Sequence, residues 1–160
     1  MAIVITVETP LQDDVRAMVE ELNAHLNPLS PPEFQFQMTA EQMAEPHTTV
    51  FVARSREGVA TGMGSLKVHD ARLAEVKRMW TRPAWRGGGV GRLLLQAVEA
   101  LAREKGIHRL ALETGGTDGF TATWRFYEAG GFRRCSAFLD YPDTEYSRFY
   151  EKLLIEEKAA

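Results

Sequence analysis

A chain of 160 residues with 44% hydrophobic and 26% charged side chains is sized for one compact domain, and residues 1–160 are read as one. A net charge of -3 gives no overall attraction to nucleic acid or to an anionic membrane. The single cysteine, Cys135, excludes an internal disulfide and a cysteine-built zinc site, no run of about 18 apolar residues offers a membrane span, and no secretory signal pattern opens the chain, so a cytoplasmic protein is expected.

In chain order, residues 2–8 (AIVITVE) are rich in β-branched side chains and stop at Pro10, as a first strand does. Leu11, Val15, Met18, Val19, Leu22 and Leu26 then recur at helical spacing. Pro28, Pro31 and Pro32 end that helix and predict a stiff, extended stretch through Phe34, Phe36 and Met38. Thr39 is placed to cap a short helix over 39–45, terminated by Pro46. Residues 48–54, 59–69 and 73–81 read as a three-strand meander, its second strand weakened by Gly62 and Gly64. The strongest helix is 90–105, where Val90, Leu93, Leu94, Ala97, Val98 and Leu101 form one stripe and Gly106 is a natural stop. A buried strand at 109–113, a helix at 120–129 and closing strands at 132–139 and 148–154 complete an α/β chain of order β, α, α, β, β, β, α, β, α, β, β. The four histidines (His25, His47, His69, His108) show no one-turn pairing, so no metal is expected.

Between the central strand and the long helix stands Arg86-Gly87-Gly88-Gly89-Val90-Gly91-Arg92. Glycines let backbone N–H groups converge without Cβ atoms in the way, and a helix start adds unpaired donors and the positive end of a dipole. Such a turn suits a phosphate or pyrophosphate. A nucleoside-triphosphate loop would need Lys and then Ser or Thr after its last glycine, where this chain has Arg92 and Leu93. A dinucleotide fingerprint would need glycine at its sixth place, which counted from Gly87 is Arg92. What remains is Arg or Gln, two residues, Gly, one residue, Gly or Ala, and Arg86, Gly89 and Gly91 satisfy it.

In this turn, in Pro83 ahead of Trp85, in the apolar helix and in Tyr127-Glu128-Ala129-Gly130-Gly131-Phe132, the chain resembles the GNAT superfamily of N-acetyltransferases. The resemblance implies a GNAT fold: a mixed, mostly antiparallel sheet of about seven strands with about four helices. It implies acetyl-coenzyme A as co-substrate, its pyrophosphate on Arg86, Gly87, Gly88, Gly89, Val90, Gly91 and Arg92. Its pantetheine arm would lie along Met79, Trp80 and Thr81, through the main chains of Met79 and Thr81, with the Trp80 ring serving core packing. Many members carry Asn seven residues before the tyrosine, where this chain has Phe120.

Transfer to an amine needs a neutral nucleophile, yet an alkyl amine with a pKa of about 10 is protonated at pH 7. Glu75 stands 11 residues before Arg86, where some superfamily members place a general-base glutamate. Base work there requires burial or a water relay to raise its pKa, and the competing reading is an exposed residue paired with Lys77 or Arg78. Tyr127 matches the position whose phenol protonates the departing thiolate, and a backbone N–H in 79–81 is the natural oxyanion donor. The acceptor is expected between the segment with Phe34 and Phe36 and the closing strands, where Tyr141, Tyr146, Phe149 and Tyr150 could line a pocket. Phe34 and Tyr141 of this group, together with Glu75, are expected to contact the substrate. Asp140, Asp143 and Glu145 are read as a solvated acidic turn. The acceptor implied is the amine of a small or amino-acid-like molecule. An acetyl-CoA-binding regulator and a protein or peptide N-acetyltransferase subunit are the alternatives. The last strands of this fold often pair in a homodimer, though nothing in 132–154 demands it.

Overall fold

Short strand-forming runs separated by turns assemble one seven-stranded sheet in the computed structural model, which describes residues 2–155. The strands are β1 (Val4–Val7), β2 (Thr48–Arg54), β3 (Ala60–Val68), β4 (Leu73–Thr81), β5 (Arg109–Gly115), β6 (Arg133–Cys135) and β7 (Ser147–Leu153). They lie in the order β1-β2-β3-β4-β5-β7-β6. Every neighbouring pair is antiparallel except β4 and β5, whose parallel pairing requires a crossover, and α3 (Val90–Glu104) supplies it. Helices α3 and α4 (Thr121–Ala129) cover one face of the sheet, while α1 (Asp13–Leu26) and α2 (Ala40–Met43) cover the other. The expected element order and fold class are therefore observed.

Val15, Met18, Val19 and Leu22 of α1 bury against Val50, Val52, Met63 and Trp80, each contributing roughly 1.5–3 kcal/mol. Thr39 caps α2 as expected, accepting from the Gln42 N–H while the Gln42 side chain accepts from the Thr39 N–H. On α3 the buried stripe is turned from the expected one. Leu95 and Ala102 are buried beside Val90, Leu94 and Val98, and Leu93 faces solvent, because α4 packs on one flank of the helix.

Two further expectations are corrected. The proline segment is extended only in part: Ser30, Pro31 and Gln35 are extended, but 3₁₀ turns form at Asn27–Leu29 and Pro32–Phe34, for which proline's fixed φ is already suited. The strand expected over 132–139 pairs only at Arg133–Cys135. Beyond it Phe138 turns into a small core with Ala111 and Phe149, Leu139 adopts a positive φ of 51°, and the chain returns Tyr141 over the sheet.

β4 is irregular in two ways that shape the site. Ser65 pairs with Lys77 and Met63 with Trp80, so Arg78 and Met79 together oppose Gly64 in a β-bulge, and Arg78 has a φ of 55°. Gly62 and Gly64 make this approach possible, since a Cβ would stand 2.7 Å from the Trp80 carbonyl oxygen and 2.4 Å from the Met79 sulfur. The second irregularity is that β4 pairs with β5 only at Leu73, Ala74 and Glu75. Beyond these residues the two strands part.

Candidate active site

The parting strands open a cavity of about 660 Å³ whose walls come from α1, the 3₁₀ turns, β4, β5, α3 and α4. At one end β4 leads through the 3₁₀ turn Pro83–Trp85 into the glycine turn. Gly87 and Gly89 have φ of 84° and 85°, a left-handed geometry that costs other residues about 1–2 kcal/mol. None of the N–H groups from Gly87 to Arg92 donates to a backbone carbonyl among the described residues. They form a cluster of free donors at the positive end of α3, the environment a pyrophosphate requires. Arg86, Gly87, Gly89, Val90, Gly91 and Arg92 line the cavity, and Gly88 belongs to the same turn. Arg86 donates to the Thr81 carbonyl at 3.2 Å and stands 4.9 Å over the Trp80 ring.

Met79, Trp80 and Thr81 also face the cavity, on the stretch of β4 that has lost its neighbour strand. An extended amide-bearing chain fits there as a substitute strand. The Trp80 side chain packs in the α1 core, where its indole N–H donates to Glu21 at 3.2 Å. Phe120 lies on the cavity wall. Its ring lies so close to Gly115 that a Cβ there would be 1.9 Å away.

At the far end of the cavity Glu75 is 2% exposed and not a surface residue. His69 Nε2 lies 2.9 Å from Oε1, while the Tyr141 hydroxyl donates to Oε2 at 2.5 Å and Lys77 Nζ to the same oxygen at 3.4 Å. Burial pushes the carboxyl upward, but the His69 hydrogen bond, the Lys77 charge and the Tyr141 hydrogen bond outweigh it and hold the pKa below the ordinary value. The raised pKa that base work at Glu75 needs is absent. Of the two proposed surface partners, Lys77 pairs with Glu75; Arg78 does not.

Tyr127, packed edge to face on Phe126 and Phe132 at 5.1 and 5.7 Å, lines the cavity near the glycine turn. Burial drives its phenol well above the ordinary range, so it carries its proton at neutral pH. Phe34 lines the cavity and stacks on Tyr146 at 4.9 Å; Phe36 lines it and meets Tyr141 edge on at 5.1 Å. Tyr141 itself stands behind the wall, accepting from Lys77 at 2.8 Å and donating to Glu75, so it shapes the site through those two residues. Phe149 and Tyr150 are core, and Asp140, Asp143 and Glu145 are exposed.

Glu113 and Arg78 line the cavity, although neither has a role in the site expected from sequence. Glu113 on β5 faces Glu75 and Lys77 across the cleft and accepts from the Ser147 hydroxyl at 2.8 Å; its other oxygen accepts no hydrogen bond among the described residues. Burial pushes its pKa up to about 7, with the Glu75 charge adding to the rise while the Ser147 bond and the Lys77 charge reduce it. A charged residue closing the apolar run Leu110-Ala111-Leu112 was its signal. Arg78 was signalled by the adjacent charges Lys77-Arg78, which break the strand alternation where the bulge falls.

The acetyltransferase (GNAT) family matches residues 15–132. The IAA acetyltransferase of Azospirillum brasilense is 37% identical over 154 residues, covering 95% of this chain and 98% of that protein. A solved Klebsiella pneumoniae structure assigned as an acyl-CoA N-acyltransferase superposes with a TM-score of 0.80 at 29% identity, over 96% of this chain and 98% of the other. The PaiA N-acetyltransferase of Thermoplasma acidophilum, solved with coenzyme A, has a TM-score of 0.73 at 17% identity and covers 96% and 99% of the two chains.

Proposed function

The chain belongs to the GNAT acetyltransferase family, and on that premise we propose that it moves an acetyl group from acetyl-coenzyme A directly to the amine of a small or amino-acid-like acceptor. The observation that carries the reading is the continuity of one cavity, from the free amides at the start of α3 to the half-buried carboxyl of Glu113. The turn from Arg86 to Arg92 holds the pyrophosphate, and the unpaired edge of Met79 and Thr81 holds the pantetheine arm. The Azospirillum relative, named for IAA acetyltransfer, favours a small acceptor over a protein.

The acceptor enters between Phe34, Phe36 and the sheet. Glu113 takes one proton from its ammonium group, a transfer for which a base with a pKa of about 7 is well matched at neutral pH. The freed nitrogen pair attacks the thioester carbonyl carbon, an N–C bond forms, and the C–S bond breaks with its electrons leaving on sulfur. Tyr127 gives its phenolic proton to that sulfur. The acylated nitrogen, which still carries one proton more than an amide holds, restores the phenol with it, so amide, thiol and phenol all end neutral while Glu113 releases its own proton to solvent. A backbone N–H of the bulged segment at Met79 to Thr81 meets the charge that develops on the carbonyl oxygen. Glu75, fixed by His69, Lys77 and Tyr141, holds the charges of the acceptor pocket in place and does not itself exchange the proton.

A thioester-cleavage assay with acetyl-CoA against a broad amine panel tests the proposal. Stoichiometric free thiol and N-acetylated product are expected with small amines. Coenzyme A binding without turnover of any amine would instead favour a regulator, and turnover confined to peptides a protein N-acetyltransferase.

A further inference from the structure

Arg78 is 7% exposed, lines the cavity on the α1 side, and has no carboxylate within 4.0 Å among the described residues. Its Nη2 donates to the Asn23 side chain and, at 3.4 Å, to the Val19 carbonyl. Its buried Nε–H has no acceptor, and Nη1 donates to nothing among the described residues. The two carboxyls of this pocket are already held or neutralised: Glu75 by His69 and Lys77, Glu113 by a pKa near the working pH. Burial lowers the Arg78 pKa to about 10, which leaves the guanidinium charged at pH 7. An interior cation without an anion is costly, and it is held here in a left-handed bulge that other strand residues avoid.

Resting on the function proposed above, we infer that Arg78 is the anchor for a carboxylate on the acceptor, so that the substrate carries both an amine and a carboxylate. The guanidinium presents planar paired donors, the geometry that matches a carboxylate's two oxygens. The pyrophosphate has its own cluster of amides at the other end of the cavity, so the coenzyme leaves Arg78 unserved. Glu113 receives the acceptor's ammonium end while Arg78 receives its carboxylate, and the walls of Leu22, Leu26, Phe34 and Phe36 take an apolar body between or beside them. Asn23 fixes the guanidinium from below.

The test pairs free amino acids, with the amine at α, β, γ or more distant positions, against their methyl esters, using acetyl-CoA and the intact protein. In the wild type at least one free acid is expected to exceed its own ester in kcat/KM by about 10- to 100-fold, the range for a hydrogen bond to a charged group. In Arg78→Met that acid-to-ester ratio is expected to collapse toward one, chiefly through KM, and Arg78→Lys to restore part of it. Thermal melting and coenzyme A affinity of each variant check the fold. Equal use of acids and esters by the wild type, which needs no variant, overturns the inference while leaving the acetyltransferase reading intact, as does an unchanged ratio in Arg78→Met. Failure of every amine to be acetylated removes the function and this inference together.

Discussion

The two ends of the cleft are built from different parts of the chain. The coenzyme end is made of backbone: free N–H groups, two left-handed glycines and an unpaired strand edge, all contributed by residues 79–92. The acceptor end is made of side chains, with Glu75, Lys77 and Arg78 from β4, Glu113 from β5, Ser147 from β7, and Phe34 and Phe36 from the turns after α1. A site made of backbone can bind any molecule with the same phosphate and amide pattern, and it constrains sequence through glycine spacing. A site made of side chains constrains charge and shape, and its residues are gathered only by folding.

The comparison breaks most easily at Glu113. Replacing it with Gln keeps its size and removes the base, and kcat at pH 7 is expected to fall by about 10²- to 10³-fold. In the wild type, kcat/KM should rise with pH through a limb near 7. In Glu113→Gln that limb should vanish, leaving a rate that climbs toward the amine's own pKa. A retained limb would return the proton to Glu75 or to a water. The coenzyme end gives a different signature. Gly89→Val forces a β-branched residue into a φ of 85° although a Cβ there meets nothing within 4 Å, so only the backbone geometry is disturbed. The KM for acetyl-CoA is expected to rise about 30-fold, with acceptor preference unchanged. A loss in acceptor KM of the same size would show that the two ends are not separable.

Tyr127→Phe removes the phenolic proton from the junction of the two ends. A thiol with a pKa of about 8.5 is a tolerable leaving group, so the expected loss in kcat is about tenfold, smaller than for the base. Full turnover in this variant would leave Tyr127 as a core residue on Phe126 and Phe132.

The end proposed for the coenzyme has a signal in the sequence, and that signal is local. Arg86, Gly89 and Gly91 have a spacing, and the stripe of α3 follows them directly. The mixed, mostly antiparallel sheet of about seven strands was likewise implied by the family resemblance. The acceptor end was legible only in part. Phe34, expected at the acceptor, lies on the cavity wall, whereas Tyr141 stands behind it, because the chain leaves β6 after three residues and returns across the sheet. Glu75 was found for its position on β4, yet its protonation is set by His69 and Tyr141, which are 6 and 66 residues away. No spacing rule connects such partners.

The two carboxyls also make opposite demands on stability, which gives the smallest but cleanest test. The folded pKa of Glu75 lies below its unfolded value of 4.5, so its contribution is present above pH 4.5 and lost as pH falls through the lower folded value. Glu113 is raised from 4.5 to about 7, so its contribution is present below pH 4.5 and lost as pH rises through 7. Ionising Glu113 therefore costs the wild type stability above neutrality, about 1–3 kcal/mol once the solvent in the open cavity is allowed for. Glu113→Gln escapes that cost. Its Tm, measured without ligands, should match the wild type near pH 5 and exceed it at pH 8 by about 2–4 °C per kcal/mol. A Tm difference that stays flat from pH 5 to 8 would mean that Glu113 is ionised throughout. The base near neutrality would then be missing from the acceptor end, and the contrast between a passive backbone cradle and a proton-handling side-chain pocket would fail at its central residue.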